Sequence, residues 1–498
     1  MRAQETKDMP NSVDAVQRND ASAGWLSLFR DGNALISVMI TGGVAIHALS
    51  MRVVSTALPS VVTEIGGLRF FAWTTTVAIV SAIWGAAFAA PLAKSRGLRH
   101  AYRIALSLFA AGSMACAAAP NMGVFLAGRL FQGLGGGLLT ALAYTTIRRV
   151  FRESLRTRAI VLLSGVWGVA AFSGPLLGGV LAGWGLWRWA FWLDVPIAVG
   201  VGVLAECALP NGTPPSQDGM AVPARTACAR LALLAASALA VSIGGVSGDL
   251  LSSGVGFVLG TLLLTSLLHI EQAPSGSADS FRLLPSGAYR PGNLLGAVSL
   301  AMALMVGATT AVLYLPYVAT EVGGYPPIVG GYLSAIISLS WTAGAFVSAS
   351  AEGKWAERSI VSGSISVVLG VVVVGCALMF GSFLIVAVAL IFVGGGVGLA
   401  WAHLGNLMMA HAKAAERDVS SAFISTNQMI AQAFASALAG MIANLGGFAD
   451  PTLGTAGVVR AISWLFLSFA LIAAASIPAA VASVRLTATR HPYPVSSR

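Results

Sequence analysis

Charge is what this chain has least of. Only 10% of its 498 residues are Asp, Glu, Lys or Arg, and 56% are hydrophobic, whereas a domain dissolved in water carries about 25% charged residues. Water is thereby excluded as the solvent for most of the chain, and soluble enzymes and soluble binding modules are excluded with it. Cysteine is scarce too. Cys116, Cys207, Cys228 and Cys376 share no C-x-x-C spacing, so neither a disulfide framework nor a cysteine metal site is expected. They read as small apolar packing residues, and no cofactor or metal is expected. The first 33 residues are polar and lack the basic-then-apolar order of a cleaved signal peptide.

Long apolar runs stand where charge is missing. A helix crosses a bilayer with about 20 apolar residues, and fourteen such runs can be placed: 34–59, 71–92, 101–119, 124–147, 159–184, 189–209, 231–247, 253–270, 294–320, 328–351, 360–380, 383–410, 419–445 and 457–484. The chain therefore reads as an all-α polytopic membrane protein. Its 57 glycines fit, because helices in lipid approach one another through small residues.

An even number of spans puts both ends on one side, and the basic residues say which. Of the 29 Lys and Arg, 24 fall in the tails and in alternate loops; Arg52, Arg69, Arg129, Arg188 and Arg460 are the exceptions. Both termini are expected in the cytoplasm. The net charge of +10 then needs no nucleic acid to explain it. A repeat organises the rest: RTRAIVLLSG at 156–165 leads into the fifth span as ERDVSSAFIS at 416–425 leads into the thirteenth. The expected organisation is a tail (1–33), a six-helix bundle (34–209), a linker carrying two extra helices (210–293), a second six-helix bundle (294–485) and a tail (486–498).

The most informative stretch is 125–183. The fourth span carries Arg129-x-x-Gln132-Gly133-x-Gly135, and the fifth carries Gly165-x-x-Gly168 followed by Gly174-Pro175-x-x-Gly178-Gly179. On the fifth span Gly165, Gly168, Pro175 and Gly179 share a helical face that a neighbouring backbone can approach, and Pro175 removes a backbone donor and bends the helix. A bare guanidinium such as Arg129 costs about 2.5–3.5 kcal/mol inside a span; it pairs, faces a wet cavity or snorkels. With WRWAFWLDVP at 187–196 and Gly324-Tyr325-Pro326-Pro327 before the tenth span, these patterns resemble the major facilitator superfamily, in its fourteen-span, drug:proton antiporter branch. The resemblance implies the major-facilitator fold, alternating access, a moving fifth span, and a link between Arg129 and substrate or proton.

Departures from that family pattern matter as much. The first span of such proteins carries an Asp after its leading Leu, where this chain has Leu49-Ser50-Met51-Arg52. An acid has become Ser50, and a cation, Arg52, stands beside it. In the loop after the second span the latching acid is Lys94, followed by Arg99; the second copy keeps Glu357 and Arg358. None of the 19 acids falls near the middle of a span, so no buried carboxylate is expected to carry protons. Asp194 and Glu321 are expected as partners of Arg52 in a gate. His47 and His403 lie inside spans; each can carry a proton near neutrality or serve as a hydrogen-bonded structural group. Trp167, Tyr314, Trp341, Trp401, Asn406, Asn427 and Gln428 make up a neutral, aromatic candidate cavity, which suits a flat polar solute. Trp187, Trp189 and Trp192 read as a membrane-interface belt.

The expected function is transport of a small organic solute across a bacterial inner membrane by a monomer, with the lipid bilayer as solvent and protons as the coupling partner. Proton-coupled efflux follows from the resemblance and the intact fifth-span pattern. Import of a neutral aromatic nutrient, riboflavin for example, follows instead from the missing carboxylate, and an organic anion drawn to Arg52 and Arg129 is a third cargo. A membrane enzyme or receptor fits less well, because the acids are scattered rather than gathered at one face.

Overall fold

The computed structural model describes residues 28–29, 33–209, 224–272, 284–290, 292–411 and 417–490. The amino tail to residue 27, the linker loops 210–223 and 273–283, and residues 491–498 lie outside the described residues. All the regular elements among those described are helical.

Twelve helices among the described residues are long and apolar enough to cross a membrane. One of them, Leu68–Ala117, has 50 residues and would stretch about 75 Å, more than twice the hydrocarbon thickness. It folds in two at Gly97, whose φ of 80° and ψ of 159° belong to a backbone region that only glycine enters freely. A further apolar stretch, Cys228–Gly244, is shorter. With the fold at Gly97 and this stretch, the chain makes the fourteen passes that its hydropathy predicts.

The spans are the first, Asn33–Ile65; the second and third, two arms of Trp73–Ala117; the fourth, Met122–Val150; the fifth, Glu153–Gly183; and the sixth, a short Trp189–Trp192 followed by Asp194–Ala208. The extra pair is Ala224–Gly244 and Leu250–Gln272. The second bundle holds the ninth span, Leu294–Thr309 with an irregular continuation to Val322, then Pro327–Ser348, Lys354–Met379, Phe383–Ala410, Arg417–Leu445 and Gly454–Arg490. The fourteenth helix thus runs past residue 485, where the tail was expected to begin.

The glycines of the fourth span explain how a poor helix-forming sequence stays helical. Each costs about 1 kcal/mol in propensity relative to Ala, and close packing offsets it. A Cβ at Gly128 would sit 2.8 Å from the Gly112 carbonyl oxygen of the third span, and one at Gly137 would strike Ala82 of the second. The fourth span is thereby clasped on both sides by backbone.

The two bundles meet on the face opposite the basic loops. There Phe71, at the start of the second span, stacks on Tyr314 at 5.0 Å, and Phe448 packs edge-on against Tyr314 and Tyr317 at 4.9 Å each. Ser436 Oγ donates to the Ala72 carbonyl at 3.1 Å. Asn444 of the thirteenth span spends both amide hydrogens at this seam, one on Arg69 O of the first bundle (3.0 Å) and one on Gly245 O at the end of the seventh span (2.9 Å). Trp73 Nε1 donates to Ser242 O at 3.3 Å, so the extra pair straps the seam from outside. On the eighth span Leu250 and Leu251 are 80% and 79% exposed, a surface that lipid must cover.

Phe448→Ala removes a ring from this seal. A buried Phe→Ala change costs about 3–5 kcal/mol, enough to shift a two-state seam by more than about tenfold. The expected result is faster maleimide labelling of a Ser436→Cys probe, added from the opposite face in a background free of other cysteines. Unchanged labelling would show that the ring cluster does not hold the seam.

Candidate functional site

Polar side chains inside a bilayer protein have no water to turn to, so they must satisfy one another. Gln132 of the fourth span does this for three helices around it. Its Nε2 lies 2.8 Å from Ser50 Oγ of the first span, 2.9 Å from Ser113 Oγ of the third and 3.0 Å from Asp194 Oδ2 of the sixth. Its Oε1 accepts from Arg129, one turn back on the same helix. Arg129 also donates to Thr74 O of the second span at 3.3 Å and reaches Met51 Sδ at 3.4 Å. Ser113 Oγ donates to Asp194 Oδ2 at 3.2 Å. Arg129, Gln132 and Asp194 are 2%, 2% and 4% exposed.

Asp194 overturns two expectations. A carboxylate is buried within a span after all, and it faces Gln132 and Ser113 rather than Arg52. The reason lies at the start of the sixth span. Trp187 does not mark the membrane surface; it is buried beneath Phe125 and Phe191, with Nε1 donating to Glu64 at 2.5 Å. Asp194 lies only five residues past Trp189, the start of the expected span, yet helix packing buries it. Trp189 and Trp192 are exposed, as an interface belt requires.

Glu321 is also no partner of Arg52. It is exposed in a cleft of about 470 Å³ on the opposite face, together with Glu64 and Tyr325. Glu64 itself pairs with Arg188 at 2.9 Å.

The first and fifth spans carry the rest of the sequence-predicted set in the first bundle. His47 fills the notch left by Gly136, where a Cβ would lie 2.5 Å from the imidazole Cε1, and its ring meets Trp167 edge-on at 6.1 Å. Gly174 and Gly178 press against the first span at Arg52 and Val53, while Gly179 meets Ile328 of the tenth span and Pro175 approaches Gly331. Gly165 and Gly168 face nothing within 4 Å. The shared glycine face is therefore engaged only in its half nearer the sealed seam.

Several other expectations need correction. Tyr314 belongs to the aromatic seal. Asn427 is buried, accepting from the Tyr289 hydroxyl and donating to Ser299 O at 3.1 Å. Neither residue lines an open cavity. His403 Nε2 lies 3.1 Å from Ser348 O, which ties the twelfth span to the tenth and fits the structural alternative. Trp341 and Trp401 do meet, edge-on at 5.2 Å, Asn406 is exposed, and Gln428 is partly buried.

The loop latches differ from expectation as well. Arg99 pairs with Glu206 at 3.5 Å, and Arg103 donates to the same carboxylate at 2.6 Å, so this clamp braces the third span against the sixth inside one bundle. Among the described residues Lys94 and Glu357 form no ion pair, and Arg358 stacks on Trp355 at 4.9 Å. None of the ion pairs among the described residues joins the two bundles on the basic face.

Two helical bundles that meet along one face, with a buried polar hub inside one of them, define a membrane carrier of the two-bundle type. The chain belongs to the Major Facilitator Superfamily, whose sequence profile matches residues 40–436. It is 32% identical over 457 residues to a Mycobacterium tuberculosis protein called "Probable multidrug-efflux transporter", covering 89% of this chain and 92% of that one. Its fold resembles a peptide transporter of the POT type solved with sulfate (TM-score 0.63, 16% identity, 95% and 98% of the two chains covered). It also resembles a D-xylose–proton symporter (TM-score 0.60, 15% identity, 91% and 99% covered).

The hub makes a stability prediction. Gln132→Leu leaves Arg129 and Asp194 without their shared partner and is expected to cost about 3–5 kcal/mol, as breaking a buried charged network does. Ser50→Ala removes one acceptor and is expected to cost about 1 kcal/mol. Thermal unfolding in detergent ranks the two variants, and a milder loss for Gln132→Leu would sink the hub role.

Proposed function

We propose that the protein exports a small organic solute in exchange for protons, and that Asp194 is the proton-carrying group. The observation that carries this reading is the kind of partner Asp194 has. Its hydrogen-bond partners are the neutral donors Ser50, Ser113 and Gln132, and no cation stands within ion-pair distance among the described residues. A direct arginine pair would lock the carboxylate in its charged form; neutral donors leave it free to take up and release a proton.

The hydrogen count around Gln132 favours the same role. Its amide has two hydrogens but three oxygens in reach: Ser50, Ser113 and Asp194. With Asp194 ionised, Gln132 and Ser113 donate to the carboxylate and the second amide hydrogen goes to Ser50. With Asp194 protonated, its hydroxyl can donate to Ser113 and one amide hydrogen is released. The network accommodates both states without stranding a buried polar atom, and the change reaches Arg129 through Gln132 Oε1.

Direction follows from charge and shape. Basic loops stay in the cytoplasm, so we assign the basic face and both termini to the cytoplasmic side of a bacterial inner membrane. The seam closes the other side, and Gly165 and Gly168 stand unopposed toward the cytoplasm, where a solute would load. The relative's name supports export.

The test uses vesicles with the basic face outward, an acidified lumen and a panel of fluorescent aromatic solutes. Asp194→Asn is expected to lose about 100-fold or more of pH-driven accumulation, the scale of an essential proton-transfer group. Solute-for-solute exchange at equal pH should survive. A variant that still accumulates solute on a pH gradient removes Asp194 from the proton path.

A further inference from the structure

We propose that the cargo is an organic anion and that Arg52 is its counter-charge; this names the substrate class of the export reading above and rests on it. The interior arginines differ sharply in how they are satisfied. Arg129 has Thr74, Gln132 and Met51. Arg230 of the seventh span has Glu271 at 3.3 Å. Arg52 is partly buried, and its guanidinium has no hydrogen bond or ion pair among the described residues.

A charge held within a span without a protein partner must be met by water or by what the span carries. Arg52 is placed for the second. Ala45, Leu49 and Arg52 form the less buried stripe of the first span, spaced so that they share one helical face. Asp194, the acid beside Ser50, is committed to Gln132 and Ser113 and forms no ion pair with Arg52.

The fifth span supplies the rest of the recognition chemistry. Gly174 gives Arg52 its room, because any side chain there would strike the Arg52 Cβ. Trp167 lies two turns away on the same face of that helix, about 10 Å along the axis. An aromatic ring packed at Trp167 with a carboxylate at Arg52 matches this spacing. The sign also suits export. A membrane potential negative inside drives an anion outward and a proton inward, so both limbs of the exchange run down the potential.

The test is equilibrium binding to the purified full-length protein by calorimetry, with no gradient of any kind. The probes are naphthoate, naphthamide and the naphthyl-trimethylammonium cation. Naphthoate is expected to bind best, and Arg52→Gln to weaken it by about tenfold or more, the scale of a hydrogen bond to a charged group, while naphthamide changes by less than about twofold. Arg52→Lys, which keeps the charge, should retain part of the preference and controls for misfolding. Equal binding of all three probes, a preference for the cation, absent naphthoate binding, or an unaltered Arg52→Gln variant would each overturn the assignment. Wild-type protein keeps the two readings apart: if it shows the anion preference but no pH-driven export, the coupling fails and the substrate class stands.

Discussion

A carboxamide with two hydrogens holds the first bundle together. Gln132 touches the side chains of the first, third and sixth spans and positions Arg129 against the second. In water such contacts would be worth about 1 kcal/mol each. Inside a bilayer the alternative for every partner is an unsatisfied polar atom, which costs several times more. The glycines of the fourth span serve this geometry, since only backbone-to-backbone approach brings three neighbouring helices within reach of one amide.

The same logic separates the two bundles. The first buries a carboxylate, an amide and a guanidinium together; in the second, the Asn427–Tyr289 pair and the His403–Ser348 contact are fastenings between helices. On the proposed reading the coupling chemistry concentrates in the first bundle, and the second supplies the surface against which it moves. The seam has the components such motion needs: stacked rings that seal without directional bonds, glycines in the fifth and tenth spans, and an extra helix pair tied across the outside through Ser242 and Gly245. The import reading leaned on the missing first-span carboxylate and the neutral cavity; the buried Asp194 supplies the first bundle with a carboxylate from the sixth span instead.

Much of the fold was legible before any coordinates. Hydropathy located fourteen passes because a bilayer imposes a length on every crossing, and Arg129, Gln132 and the fifth-span glycines and proline drew notice because each is costly in lipid unless used. Asp194 escaped because its place five residues into the expected span 189–209 gives depth along the chain but not the packing that buries it. Tyr314 and Asn427 were misplaced for a related reason: composition marks a residue as polar or aromatic, while lateral packing decides whether it meets a cavity or a neighbouring helix. Arg52 stood out in the sequence as a cation within a span. Its expected partners, Asp194 and Glu321, were chosen by charge, and only geometry excludes them.

The central claim is that solute and proton cross in opposite directions through one carrier. Simultaneous recording of lumenal pH and solute flux in proteoliposomes of known orientation tests it most directly. The account predicts that solute entering from the basic face is matched by protons leaving toward that face, with both fluxes stopping together when either gradient collapses. Solute movement with no proton flux, or with protons travelling alongside it, would contradict the account.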